Sequence, residues 1–275
     1  MFVEQNHSSF ESVSQGEKKV SDTWNPAQYQ KFSKERTQPF EDLVKLINID
    51  DEMTVVDLGC GTGHLTKQLH DKLKAKKTLG IDSSKAMLKE SEQLEGPDLH
   101  FELMDIHQFK PVETIDLIFS NAALQWLPNH GELIERLTGY LSERGQIAIQ
   151  MPFNQDYPTH SIAKDIAMEA PFRSVLGDGR PLFVLPVEEY SQLFYQLGFN
   201  SQHVRLQVYP HLLTSTDSIV EWVKGALLTY YQGKLSSDLY ELFYQRYQIE
   251  IKKYFGEKKP FFLPFKRLLL WASKK

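Results

Sequence analysis

The sequence predicts an α/β fold, a mostly parallel sheet with helices on both faces. Three observations carry that expectation. Strand-like and helix-like stretches alternate from Thr54 to Gln150, the pattern of a parallel sheet wound with crossover helices. The first strand-to-helix junction, Thr54-Val-Val-Asp-Leu-Gly-Cys-Gly-Thr-Gly63, turns on glycines at alternate positions. Asp57, Asp82, Asp105 and Asn121 all fall at or just past strand ends, the edge where such sheets bind ligands.

Taken in order, residues 1–22 are polar and aperiodic and read as a loose tail. Pro26 suits the first turn of a helix that carries Tyr29 and Phe32 on one face. A second helix brings Leu43, Val44, Leu46 and Ile47 towards the first strand, which Val55 and Val56 begin. Gly59, Gly61 and Gly63 allow positive φ and close approach of a ligand to the backbone. Leu65, Leu69 and Leu73 then repeat at helical spacing, and the N–H groups at that helix start favour polar or anionic ligand groups. Thr78–Asp82 is the second strand, Ser84 to about Leu94 a helix with Met87 and Leu88 inward, and Leu99–Met104 the third strand, closing at Asp105. Ile115–Phe119, a helix from about His130 to Leu141, and a fifth strand at Gln146–Gln150 complete the alternation.

Beyond Pro152 the pattern loosens. Pro158, Pro171, Pro181 and Pro186 punctuate a lid or insertion. A helix at Val187–Leu197 and a strand at Ser201–Tyr209 follow. Residues 215–256, with Trp222, Tyr230, Tyr231, Tyr240, Phe243, Tyr244 and Tyr247, read as a helical cap packing its own core. Phe261–Ala272 is the last strand, with a break at Pro264. The organisation expected is one domain over residues 23–273, its core about 36–151 plus 187–209 and 260–273, its cap elements about 152–186 and 215–256.

A net charge of −5 gives no electrostatic case for nucleic acid. The basic cluster of Lys258, Lys259, Lys266, Arg267, Lys274 and Lys275 reads as solvated surface. One cysteine, Cys60, excludes an intramolecular disulfide and a cysteine zinc cluster, and no metal is expected. Neither a run of about 18 apolar residues nor a basic-then-apolar leader is visible, so no membrane partner and a cytoplasmic location are expected.

Asp82 follows Gly63 by 19 residues, close to the spacing of about twenty at which an acidic residue meets ribose hydroxyls. Ser83 or Ser84 could cap the helix that follows. Met87 would face an adenine if that helix borders the pocket, or fill the core. Asp105, with Ile106 beside the ring, is placed to accept from an adenine amino group, or is a plain turn aspartate. The dinucleotide fingerprint fails, because His64 occupies its last glycine position.

The form Asp57-x-Gly-x-Gly-x-Gly resembles the first motif of class I S-adenosylmethionine-dependent methyltransferases. Trp24–Arg36, Gly80–Met87, Asp116–Pro128 with its Asn-Ala-Ala-Leu-Gln-Trp-Leu-Pro run, and Gln150-Met-Pro together resemble the trans-aconitate 2-methyltransferase family, over about residues 23–273. The resemblance implies a Rossmann-like seven-stranded sheet with the last strand antiparallel. It implies methyl transfer from S-adenosyl-L-methionine, leaving S-adenosyl-L-homocysteine, to a carboxylate oxygen of a small organic acid. By matching positions, Gly59 and Gly61 would approach the methionine part, Asp82 the ribose, and Asp105 with Ile106 the adenine, with the backbone near Asn121 receiving the amino group. Trp24, Tyr29, Arg36, Asp57, Ser83, Met87 and Ala122 complete the implied cofactor set. Trp126 is similar to the tryptophan that juvenile hormone acid and plant carboxyl methyltransferases pair with a glutamine to hold the substrate carboxylate. Arg36 stands where the first of those families has that glutamine, and residues 23–36 would cover the cofactor. No triad and no histidine base is expected, because a carboxylate is already anionic at neutral pH. Two alternatives remain open at this point. One is a malonyl-carrier-protein methyltransferase, docking an acyl carrier protein on the C-terminal lysines. The other is a protein that binds the nucleotide without catalysis.

Overall fold

The computed structural model describes residues 33–274, with side chains from Thr37 onward. The tail, Trp24 and Tyr29 lie outside the described residues. Arg36 lies within the first helix by its backbone, and its side chain is outside them too.

A seven-stranded sheet runs in the order β3-β2-β1-β4-β5-β7-β6. Its strands are β1 (Thr54–Leu58), β2 (Lys77–Asp82), β3 (Leu99–Leu103), β4 (Ile115–Asn121), β5 (Leu141–Pro152), β6 (Ser201–Leu213) and β7 (Phe261–Ser273). The first five pair in parallel, and β7 runs antiparallel to both β5 and β6. The helices are α1 (Ser33–Val44), α2 (His64–Leu73), α3 (Lys85–Leu88), α4 (His130–Thr138), α5 (Pro158–Ala167), α6 (Arg173–Leu176), α7 (Val187–Gln196), α8 (Thr216–Lys224), α9 (Leu227–Lys234) and α10 (Ser237–Phe255). None of them is long and apolar enough to cross a membrane.

The central strands are apolar on both faces, as a sheet covered twice must be. On one face Ile118, Ile147 and Leu270 join Leu133 and Leu137 of α4 and Tyr190 and Phe194 of α7. On the other, Leu117, Ala148 and Leu269 join Phe40 and Leu43 of α1 and Leu69 and Leu73 of α2. A separate core, built by α5, α6, α8, α9 and α10 over the far ends of β6 and β7, holds Tyr231, Phe243 and Tyr247. The start of the sheet is pinned by Asp116, whose two carboxylate oxygens accept from the Thr54 N–H at 2.9 Å and the Ser142 hydroxyl at 2.8 Å. That fixes the strand register, and with it the positions of the opposite, ligand-binding ends.

Several boundaries differ from the sequence expectation: the helix expected from about His130 to Leu141 stops at Thr138, because Leu141 already belongs to β5. Leu46 and Ile47 leave the helix after Val44 in a tight turn. The helix expected over Ser84–Leu94 is α3 followed by a separate 3-10 turn at Ser91–Leu94. There the Ser91 hydroxyl takes the Leu88 carbonyl at 2.8 Å, and the glycine turn packs against Ser91 at Gly63. β5 and β6 outrun the expected strands at Gln146–Gln150 and Ser201–Tyr209. Pro264 does not break β7: it pairs with Pro210, so two residues without an N–H face each other and the register runs through.

Candidate active site

The glycine turn is tied to the sheet by the Gly59 and Cys60 N–H groups, which both donate to the Ile81 carbonyl, at 2.8 and 3.0 Å. Gly59 has φ +77°, and a Cβ there would lie 2.2 Å from the Ala123 Cβ. Gly61 has φ +58° and would press a Cβ to 3.2 Å from the Met87 Cε. Bare backbone is therefore required where the turn faces a cavity of about 320 Å³ at the strand ends.

That cavity gathers most of the expected set. Gly59, Gly61, Asp82 and Ser83 line one side. Met87, Asp105 and Ile106 line the next, and Asn121, Ala122 and Trp126 close it. One Asp82 oxygen accepts from the Gly61 N–H and the other from the Ser84 N–H, both at 2.8 Å. Asp82 thus clamps the turn to the start of α3 on the wall of the cavity. The helix cap falls to Ser84, whose Oγ accepts from the Met87 N–H at 3.2 Å. Asp105 accepts from the His107 N–H at 2.7 Å. The Arg136 guanidinium braces the 3-10 turn that Asp105 caps, Ile106–Gln108, donating to the Ile106 and Phe109 carbonyls at 2.9 Å each. Ala122 has φ +58°, rare for a residue with a Cβ, where the chain leaves β4. The Asn121 Oδ1 is buried on this wall without a hydrogen-bond partner among the described residues.

Asp57 is not on the wall. It is buried behind the turn, where it accepts from the Thr66 hydroxyl at 2.6 Å and ties β1 to α2. Burial, partly offset by that hydrogen bond and reinforced by the nearby Asp82 charge, pushes its pKa up to about 7.

A second cavity, of about 90 Å³, shares Trp126 with the first. Gln125, His160, Arg180 and Trp222 are among its walls. The half-buried Arg180 guanidinium lies 5.2 Å from the centroid of the Trp126 ring, a cation–π contact. Burial lowers its pKa, yet a guanidinium stays charged. Among the described residues Arg180 makes no hydrogen bond and no ion pair.

The methyltransferase-domain family profile matches residues 49–196. The chain is 36% identical over 261 residues to the trans-aconitate 2-methyltransferase of Variovorax paradoxus, covering 92% of this chain and 98% of that one. It is 36% identical over 260 residues to that of Deinococcus radiodurans, with the same coverage of both chains. The chain belongs to the trans-aconitate 2-methyltransferase family. The fold of this methyltransferase is also that of the YcgJ protein from Bacillus subtilis, at a TM-score of 0.56 and 14% identity, covering 87% of this chain and 99% of that one.

The methyl donor is S-adenosylmethionine, and the first cavity fits it. The bare glycines admit it beside the backbone, Asp82 offers acceptors to a ribose, and the partnerless Asn121 oxygen suits an ammonium donor. Two cap residues that sequence reasoning missed, Thr229 and Tyr230, also line this cavity. Tyr230 was read as part of the cap core. Tyr231 is buried in that core and Tyr230 packs against it half-buried, while the Tyr230 hydroxyl donates to the Gly179 carbonyl at 3.0 Å, next to Arg180.

Trp126 sits at the end of a 3-10 turn, Leu124–Trp126. The buried His130 braces this turn through its Nε2, which bonds the Leu124 carbonyl at 2.9 Å. A carbonyl can only accept, so Nε2 carries the proton and Nδ1 accepts from the Tyr190 hydroxyl. The Tyr190 oxygen in turn accepts from the Leu185 N–H at 3.1 Å. One chain of hydrogen bonds thus joins the turn bearing Trp126 to the segment bearing Arg180. Burial lowers the His130 pKa, in keeping with a neutral structural imidazole. His160, on the second cavity's wall, is pushed down to about 3 by burial and by the Arg180 charge, so it too is neutral at pH 7. No spacing or periodicity singles out Arg180 or His160. They stand in the proline-punctuated segment and reach the site only through the cap's packing.

Proposed function

We propose that this methyltransferase O-methylates a carboxylate of a small organic acid, with trans-aconitate, named for its relatives, as the first candidate. The observation that carries the reading is Arg180: a half-buried cation with no carboxylate partner among the described residues, beside the one side chain shared by both cavities. A partly desolvated charge calls for a counter-charge, and the acceptor can supply it.

The chemistry asks the chain for alignment rather than for proton transfer. Bound S-adenosylmethionine supplies an electrophilic methyl group. Trp126 and Asn121 form a wall along which an acceptor oxygen would approach, and the cap residues Thr229 and Tyr230 line the same cavity, where they would help to exclude water. A carboxylate needs no base at neutral pH, and the neutral His160, with its pKa near 3, would be a poor one. Arg36, the other expected carboxylate partner, stands in α1 with its side chain outside the described residues. The cation in the second cavity also speaks for a small anion over nucleic acid.

A transfer assay with isotope-labelled methyl donor tests this across small di- and tricarboxylic acids, with malonylated acyl carrier protein as one further candidate. Labelling of a free tricarboxylic acid is expected. Labelling of the carrier protein alone would move the reading to the carrier-protein enzyme, and bound donor without any transfer would make this a binding protein.

A further inference from the structure

We propose that Arg180 holds the carboxylate that is not methylated, and so selects acids with two or more carboxylates over monoacids. The inference rests on the carboxyl methylation proposed above and goes further, by assigning the second cavity to the unreacting end of the substrate.

The geometry separates two positions. Trp126 lines both cavities, whereas Arg180 lines only the second. The guanidinium is 5.2 Å from the indole centroid and lines the second cavity without lining the first. An oxygen in line for methyl transfer has to lie within about 3–3.5 Å of the carbon it attacks, which keeps it on the donor side of Trp126. A carboxylate gripped by the fork of Arg180 would have its lone pairs engaged in charge-assisted hydrogen bonds and would be a poorer nucleophile. The two tasks therefore suit two different carboxylates of one molecule, one free to react and one neutralised by Arg180.

The surroundings of Arg180 match an anchor. It has no ion pair or hydrogen bond among the described residues, so none of these competes with a ligand carboxylate. Its position is held from two directions: the Tyr230 hydroxyl grips the preceding Gly179 carbonyl at 3.0 Å, and the Leu185 N–H is fixed on Tyr190 at 3.1 Å. Tyr230 also lines the donor cavity. His160, neutral beside it, adds no second positive charge.

Steady-state kinetics on a tricarboxylic acid and a chain-matched monocarboxylic acid test the assignment, with S-adenosylhomocysteine calorimetry as the control for a folded donor site. Arg180→Gln should lower kcat/KM for the tricarboxylic acid on the order of 100-fold, mainly through KM, and change the monoacid less than about threefold. S-adenosylhomocysteine affinity should stay unchanged. Equal losses on both acids would place Arg180 on the reacting carboxylate, and unchanged kinetics on both would remove it from the acceptor site. Either result overturns the proposal while leaving carboxyl methylation intact. If the wild-type protein methylates no acid, the underlying reading falls instead, and this inference with it. Should Arg180→Gln lose S-adenosylhomocysteine binding, Arg180→Lys decides. Keeping a charge but not the fork, it should lower the tricarboxylic acid's kcat/KM on the order of tenfold and spare the monoacid. Equal effects on both acids would again refute it.

Discussion

On one side of Trp126 the walls come from consecutive strand ends of one hydrogen-bonded sheet: the turn after β1, Asp82 at the end of β2, Asp105 after β3 and Asn121 at the end of β4. On the other side they come from places far apart in the chain, with Gln125, His160 of α5, Arg180 in an irregular segment and Trp222 of α8 brought together by the cap's own core. The donor side inherits its geometry from strand register, which tolerates no slip because a one-residue shift turns every side chain to the other face. The acceptor side depends on loop and helix packing, which can change without disturbing the sheet.

The sharpest way to break the donor side is Gly59→Val. With φ at +77° and a Cβ position 2.2 Å from Ala123, the turn cannot hold its shape. Calorimetry should show loss of S-adenosylhomocysteine binding by more than about 100-fold, the backbone strain alone costing on the order of 1–3 kcal/mol. Gly131→Ala in α4 is the control, since its Cβ would meet nothing within 4 Å. It should melt at or slightly above the wild-type temperature.

The two sides also differ in how far the sequence disclosed them. The glycine turn and the acidic strand ends were legible because each is local: a few adjacent residues fix the backbone, and the sheet does the rest. Asp57 shows the limit of that reading, since its place in the motif says nothing about which way its side chain points, and it points into the core. Arg180 and His160 were not legible, because nothing periodic marks them. Tyr230 and Tyr231 are adjacent on α9 and both pack in the cap core, yet Tyr230 also lines the donor cavity. An aromatic count cannot separate them. The segment after Pro152 was legible only as an insertion, its two helices hidden among the prolines.

Asp57 gives the donor side a pH signature. Its carboxyl is held up to about 7 in the fold, against about 3.9 in an unfolded chain. The folded state therefore keeps a proton that the unfolded state releases over this window. Stability should fall as pH rises from about 4 to about 7 and level off above, by at most about 4 kcal/mol from this group. Denaturant melts of wild type and Asp57→Asn across that range check it: the variant should lack this part of the slope, and parallel curves would mean that Asp57 is ionised throughout.

A smaller effect is expected at Asp82. Asp82→Ala frees the Gly61 and Ser84 N–H groups and removes the carboxylate expected at the ribose, and should weaken cofactor binding by about 1.5–3 kcal/mol. Unchanged affinity in a folded variant would take Asp82 out of the site. Trp126→Phe tests the shared wall more gently. It removes the indole N–H and part of the surface on which Arg180 rests, so acid turnover should drop about tenfold, or about 1.4 kcal/mol, with cofactor affinity nearly constant. A change in cofactor affinity as large as that in turnover would show that the two sides are not separable at Trp126.

The most direct test of the account as a whole is the chemical nature of the product. A tricarboxylic acid incubated with this methyltransferase and methyl-labelled donor should gain one methyl group, seen by nuclear magnetic resonance as a methyl ester. Mild alkali should release it as methanol and return the original acid. A methyl group that survives alkali, on carbon or nitrogen, would contradict carboxyl transfer and the two-sided site built around Trp126 with it.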